Sequence, residues 1–166
     1  MNKNLKILCG FFLTIMFFRY IPHLPNFTPL LAMTFYGTII FGRYSLVFIV
    51  LAFALSDAFI GFHNQLIWTW GSLFLIGFIG PYFKNTLGRF TGVFLSSLIF
   101  FMLTNLGVFL SGYYGFGFDS LILCYTLAIP FFTNTILSTL IFSILIDFFI
   151  FSKYFNFVPV IKNKTN

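Results

Sequence analysis

Apolar residues run along this chain in unbroken stretches rather than in alternation, as in residues 46–55 (LVFIVLAFAL) and 93–103 (VFLSSLIFFML). Strands of a membrane barrel alternate apolar and polar positions over about ten residues. Continuous runs separated by turn residues point to helices instead. The first helix is predicted over 5–20 and is stopped by Ile21-Pro22-His23-Leu24-Pro25-Asn26, where the paired prolines forbid continuation. The second starts near Thr28-Pro29, because proline suits a first helical turn, and ends at Gly42-Arg43. The third is predicted over 44–62, the fourth over 66–83 with Pro81 near its end, and the fifth over 90–110; the glycine-rich, aromatic stretch 111–117 is a loop. The segment 119–154 is too long for one straight span at about 1.5 Å per residue. Pro130 lacks a backbone donor, so a helix broken near Pro130 is expected, with a re-entrant piece followed by a helix as the alternative. The fold class is all-α.

Composition says what surrounds these helices. The 166 residues are 60% hydrophobic and only 7% charged, against about 25% charged in a soluble domain. Lipid is therefore the expected solvent, and in lipid the backbone must satisfy itself. At about 20 residues per span the chain fits an integral membrane bundle of about six transmembrane helices. One transmembrane domain is expected over 1–155, followed by a polar cytoplasmic tail over 156–166. No length is left for a soluble catalytic or nucleotide-binding domain.

The net charge of +6 then speaks of orientation rather than nucleic acid. Six helices with the N-terminus inside place Lys3, Lys6, Arg43, Lys84, Arg89, Lys153, Lys162 and Lys164 on the cytoplasmic side and only Arg19 outside. That bias is the one the positive-inside rule expects. Both ends are thus predicted to be cytoplasmic, in a multi-pass protein of the bacterial cytoplasmic membrane. No small-residue cleavage site follows the first apolar run, which is expected to stay as a helix. Cys9 and Cys124 have no metal or disulfide spacing, and the 29 phenylalanines are read as lipid-facing filler.

Against this background a few polar residues need a reason. Asp57 lies about 21 Å up the third helix from Arg43, and Asn105 stands at a similar height in the fifth. Trp70 and Tyr125 fall about 6 and 9 Å below the outer ends of their segments, and Arg19 ends the first helix. A carboxylate at the centre of a membrane helix costs about 2.5–3.5 kcal/mol. Asp57 must face the interior, find a partner or line water. One reading is an outward-facing pocket roofed by the first loop, in which Asp57, Asn105, His23 and Asn26 hydrogen-bond a small molecule. Trp68, Trp70, Tyr36 and Tyr125 would then supply flat surfaces. The other is that Arg19 neutralises Asp57 and the pair only holds two helices together.

Trp68 sits where tryptophan anchors a membrane interface. His23 and His63 are loop histidines with no metal motif around them, and Thr133 and Asn134 would satisfy carbonyls freed at Pro130. Asp147, near the cytoplasmic end, snorkels, pairs with a basic residue or faces a partner. Small residues at four-residue spacing, Gly10 with Thr14 and Gly92 with Ser96, permit close helix approach within the bundle or against another protein. No phosphate-binding loop, carboxylate pair, zinc helix or activated nucleophile is present, so neither an enzyme nor a cofactor or metal is expected.

Several stretches in order carry a resemblance: Arg19-Tyr20-Ile21-Pro22-His23-Leu24-Pro25-Asn26-Phe27-Thr28-Pro29, Phe41-Gly42-Arg43, Leu55-Ser56-Asp57, Thr104-Asn105-Leu106-Gly107-Val108, and Cys124-Tyr125 followed by Pro130-Phe131-Phe132. Together they resemble an uncharacterised family of small bacterial integral membrane proteins, with Leu24 in place of a proline and Phe109 where tryptophan is common. The architecture is similar to the S components of energy-coupling-factor vitamin transporters, whose first helix carries an Ala-x-x-x-Ala motif where this chain has Gly10 and Thr14. That similarity implies a small-molecule ligand taken from the outer face, a coupling membrane subunit and two ATPases. The expected function is the membrane-embedded substrate-binding component of an uptake transporter, with ligand contacts from Asp57, Asn105, His23, Asn26, Arg19, Trp70, Tyr125 and Tyr36. The alternative is a non-catalytic structural or assembly protein acting through helix–helix contacts with a partner.

Overall fold

A computed structural model describes residues 3–151. The tail over 156–166 lies outside them, as do Lys153, Lys162 and Lys164, on which part of the predicted orientation rests. The described chain is all-α, with six α-helices: α1 Lys3–Tyr20, α2 Leu30–Phe41, α3 Ser45–Ile60, α4 Leu66–Ile79, α5 Thr86–Leu110 and α6 Phe118–Ile146. A 3₁₀ turn, Gly80–Tyr82, carries Pro81 and closes α4, and a π-helical turn, Asp147–Phe151, prolongs α6. Two stretches, Thr86–Leu110 and Phe118–Phe151, are long and apolar enough to cross a membrane; Leu30–Phe41, Ser45–Ile60 and Leu66–Tyr82 are apolar but shorter.

Two boundaries depart from expectation for local reasons. Helix α5 begins at Thr86, not at Phe90, because the Asn85 side chain accepts the Gly88 N–H at 2.6 Å and caps the first turn. Helix α6 is not broken at Pro130: it runs unbroken from Phe118 to Ile146 with the proline inside. A mid-helix proline forfeits one backbone bond, to the carbonyl four residues back, which in α6 belongs to Thr126. Thr133 and Asn134 do not serve that carbonyl: Thr133 bonds Ile129 O, and Asn134 reaches Pro25 O in the first loop.

Helix α2 is the axis of the molecule. Every residue from Leu30 to Ile39 is buried, as expected of a helix that is apolar all round, and α2 packs against each of the other five helices. Around it α1 packs on α3, α3 on α4, α4 on α5 and α5 on α6. Edge-to-face contact of Phe18 with Phe142, centroids 5.1 Å apart, closes the ring between α6 and α1. Small residues allow the close approaches. Gly92 of α5 lies under the Phe35 ring of α2, and Gly77 of α4 lies against Leu46 of α3. Gly92 and the buried Ser96 thus serve packing inside the bundle, whereas Gly10 of α1 faces open space.

Polarity is inverted relative to a water-soluble helical protein. Buried positions include Thr34, Thr38, Ser72, Ser96, Ser138 and Thr139, while Phe48, Leu51, Phe59, Phe94, Leu127 and Ile141 face outward. Most buried hydroxyls are satisfied along their own helices, as where Thr34 donates to Leu30 O at 2.7 Å and Ser96 to Gly92 O at 2.7 Å; Ser143 Oγ has no partner among the described residues.

Candidate functional site

The connection between α1 and α2 folds back over one end of the bundle. Asn26 takes a left-handed conformation, φ 62°, which asparagine tolerates better than most residues. The turn is closed by Phe27 N–H to Leu24 O at 2.9 Å. Two side chains of α6 fasten this loop: Asn134 Nδ2 donates to Pro25 O at 3.1 Å, and Ser138 Oγ to Asn26 O at 3.4 Å. Pro130 therefore lies one helical turn from a roof anchor inside a continuous helix, not at a break.

Beneath the roof lies a cleft in two compartments of about 220 and 210 Å³ that share Asn26, Thr69, Phe100 and Thr135. The larger is bordered by Gln65, Thr104 and Asn105, and the smaller by Arg19, His23, Thr28, His63 and Ser138. Its aromatic walls are Phe53, Phe100, Phe101, Phe131 and Phe132, with Phe101 and Phe132 stacked at 4.4 Å between centroids. Reading the phenylalanines as mostly lipid-facing filler does not single these rings out. Nothing in an unbroken apolar run marks which ring turns inward, and the nearest signal is the row of Phe and polar residues from Phe100 to Asn105.

Four of the eight residues singled out from sequence line this cleft: Arg19, His23, Asn26 and Asn105. Asp57 stands behind it, fully buried, where one carboxylate oxygen pairs with Arg19 Nη2 and the other accepts Trp70 Nε1 at 3.0 Å. Trp70 thus supplies a hydrogen bond to Asp57 and not a cleft wall. Arg19 also donates from Nε to Ser56 Oγ at 3.1 Å, and its guanidinium lies 4.5 Å from the Phe53 ring centre. Tyr125 lies outside the cleft, joining α6 to α5 by donating to Met102 O at 2.8 Å. Trp68 packs its ring on Gly107 of α5.

Tyr36 belongs elsewhere. Its hydroxyl bonds Asp147 at the π-helical turn, and Asp147 pairs with Arg89 through Nε at 2.9 Å and Nη2 at 2.6 Å. Arg89 also donates to Lys84 O at 2.7 Å. Of the roles open to Asp147 on sequence, pairing with a basic residue is the one adopted. No spacing signal marks this cluster along the chain, because Arg89 and Asp147 are far apart in sequence.

The side chains at the mouth have defined proton positions. His23 Nδ1 lies 2.8 Å from Ile21 O; a carbonyl only accepts, so the ring proton sits on Nδ1. His63 Nδ1 accepts Gln65 N–H at 3.2 Å, which puts the proton of the neutral ring on Nε2. Asn105 commits Nδ2 to Phe101 O at 2.8 Å. Gln65 Oε1 is buried with no hydrogen-bond partner among the described residues. Among those residues no three His, Cys, Asp or Glu side chains converge as metal ligands would.

Residues 1–158 match the model of a family of unknown function, DUF6580. No curated protein and no solved structure matches the chain.

Proposed function

The chain belongs to the DUF6580 family of unknown function, and from that premise we propose that it is a multi-pass membrane bundle that captures a small molecule from the outer face for uptake. The membrane assignment rests on the inverted polarity. Large apolar side chains such as Phe48, Leu51, Phe59, Phe94, Leu127 and Ile141 face outward while Thr and Ser residues lie buried, and an extensive exposed apolar surface marks a membrane or partner contact. Lipid removes the cost of that exposure. Only α5 and the α6 segment have full spanning length; α2 needs none, because protein surrounds it on every side. With the N-terminus inside, Arg19, the first loop and the α3–α4 loop lie at the outer end, and Arg43, Lys84 and Arg89 at the inner one.

Capture rests on one observation: a cleft with polar and aromatic walls under a fastened loop. Pockets for small ligands combine apolar walls with a few placed polar groups in this way. Asp57 is a positioning residue here, holding Arg19 at the cleft wall. On this proposal, a coupling membrane subunit and ATPases, as the sequence resemblance to S components implies, would power release inward. The Arg19–Asp57 pair is also what a purely structural membrane protein would have; the cleft is what such a protein does not need.

Native mass spectrometry of the protein purified in mild detergent tests the proposal. A co-purifying small molecule should appear, and Asn105→Leu, which removes an amide from the cleft without touching either ion pair, should lose it. Wild-type protein that is folded and carries no adduct, even when released from membranes of cells grown in rich medium, would favour the structural role.

A further inference from the structure

The polar groups of the cleft also specify the charge and edge chemistry of what they hold. We infer, resting on the capture reading above, that the ligand is an uncharged, flat, one- or two-ring aromatic molecule bearing an N–H or O–H donor.

Charge comes first. Among the described residues lining the cleft, Arg19 is the one with a permanent charge, and Asp57 already balances it. No carboxylate lines the cleft, so a cation finds no counter-ion. An anion would compete with Asp57 for Arg19 and leave a fully buried carboxylate without its partner. Uncompensated charge in a membrane interior is costly, so a neutral guest is favoured.

Hydrogen bonding comes next. Buried polar atoms in native proteins nearly always find a partner, and Gln65 Oε1 has none. The second amide in the same compartment, Asn105, uses one of its two N–H groups on Phe101 O, which fixes the amide's orientation and leaves its oxygen available to accept. The ligand therefore brings a donor to this compartment. At the mouth, His23 presents Nε2 as an acceptor and His63 presents Nε2–H as a donor, so a neighbouring acceptor on the ligand is also served.

Shape follows from the walls. Stacked Phe101 and Phe132, with Phe100 shared by both compartments, favour a flat guest. A cavity of about 150 Å³ accommodates benzene, so compartments of about 220 and 210 Å³ hold one ring each.

A matched set of four probes separates these features: benzamide, benzoate, benzamidine and ethylbenzene, titrated calorimetrically into the purified protein in detergent. Benzamide should bind about tenfold more tightly than the other three, the value of one hydrogen bond to a buried acceptor. Gln65→Leu should erase that advantage, so that benzamide and ethylbenzene bind this variant alike. Tighter binding of benzoate or benzamidine overturns the neutral class and leaves capture standing. Equal binding of benzamide and ethylbenzene overturns the donor requirement. Binding of none overturns the aromatic class, and native mass spectrometry of the same sample then decides the capture reading independently.

Discussion

Removing one member of the Arg19–Asp57 pair should cost more than removing both, and the two single losses should be unequal. The Asp57 side chain is 0% exposed and that of Arg19 is 24% exposed. In Arg19→Met, Asp57 stays buried with only the Trp70 indole to serve it, the situation in which breaking a buried pair costs about 3–5 kcal/mol. In Asp57→Leu, the losses are one charge-assisted bond at about 1.5–3 kcal/mol and the Trp70 bond at about 1 kcal/mol. Arg19 keeps access to cleft water and to Ser56, which brings that variant to the lower part of the range. The double variant replaces both charges by apolar volume, a change that is often close to neutral. Single costs of about 4 and 3 kcal/mol against a near-neutral double variant correspond to a coupling energy of about 6–7 kcal/mol, with Arg19→Met worse than Asp57→Leu by about 1 kcal/mol.

The cycle is measured by reversible unfolding in mixed micelles, followed by tryptophan fluorescence. Coupling below about 0.5 kcal/mol, or Asp57→Leu as the more damaging change, would refute the burial argument. The same variant carries a functional signature. Freed of its counter-ion, Arg19 makes the cleft cationic, so Asp57→Leu should bind benzoate at least about tenfold more tightly than the wild type does, the gain of one charge-assisted hydrogen bond. Unchanged benzoate affinity would mean that Asp57 does not set the charge of the cleft.

Three further outcomes follow from single contacts. Arg89→Met should destabilise by about 3–5 kcal/mol, and Tyr36→Phe, which removes only the hydroxyl on Asp147, by about 1–2 kcal/mol, both read in the same unfolding assay. Asn26→Val places a branched residue at φ 62° and should cost about 1–2 kcal/mol while speeding hydrogen exchange in the first loop; Asn26→Gly should leave stability within a few tenths of a kcal/mol. Asn85→Ala loses the cap of α5 and should cost about 1 kcal/mol, seen as faster exchange at Gly88.

How legible these features are depends on whether the responsible contact is local. Helix number and class follow from the apolar runs and turn residues, so α2, α3 and α4 fall close to their predicted ranges. The loop that roofs the cleft is marked by Pro22, Pro25 and Asn26. Errors arise where a distant residue decides. Pro130 signals a break locally, yet packing of α6 along α5 and α2 outweighs one lost backbone bond. Tyr36 and Asp57 both look like isolated polar residues in apolar helices. The Arg19–Asp57 pair is one of two readings open on sequence, but only the third dimension selects it and adds Trp70, and only there does Tyr36 meet Asp147. The inward phenylalanines are invisible for the same reason, since every apolar helix offers rings on all its faces.

The two ion pairs share a plan that accounts for the character of the cleft. Each carboxylate gives one oxygen to an arginine and the other to an aromatic donor on a third helix: Asp57 to Arg19 and Trp70, Asp147 to Arg89 and Tyr36. The first ties α1, α3 and α4 together, and the second ties the α6 extension to α5 and the central α2. A carboxylate with both oxygens engaged needs no water and can be buried within a helical bundle. Both acids are thereby withdrawn from the cleft, which is left with amides, hydroxyls, imidazoles and a neutralised guanidinium. A pocket so lined can discriminate by the placing of donors and acceptors but holds no free charge with which to attract an ion. On the capture reading, the clasps that let charged side chains exist inside this bundle are therefore what suit its cleft to an uncharged guest.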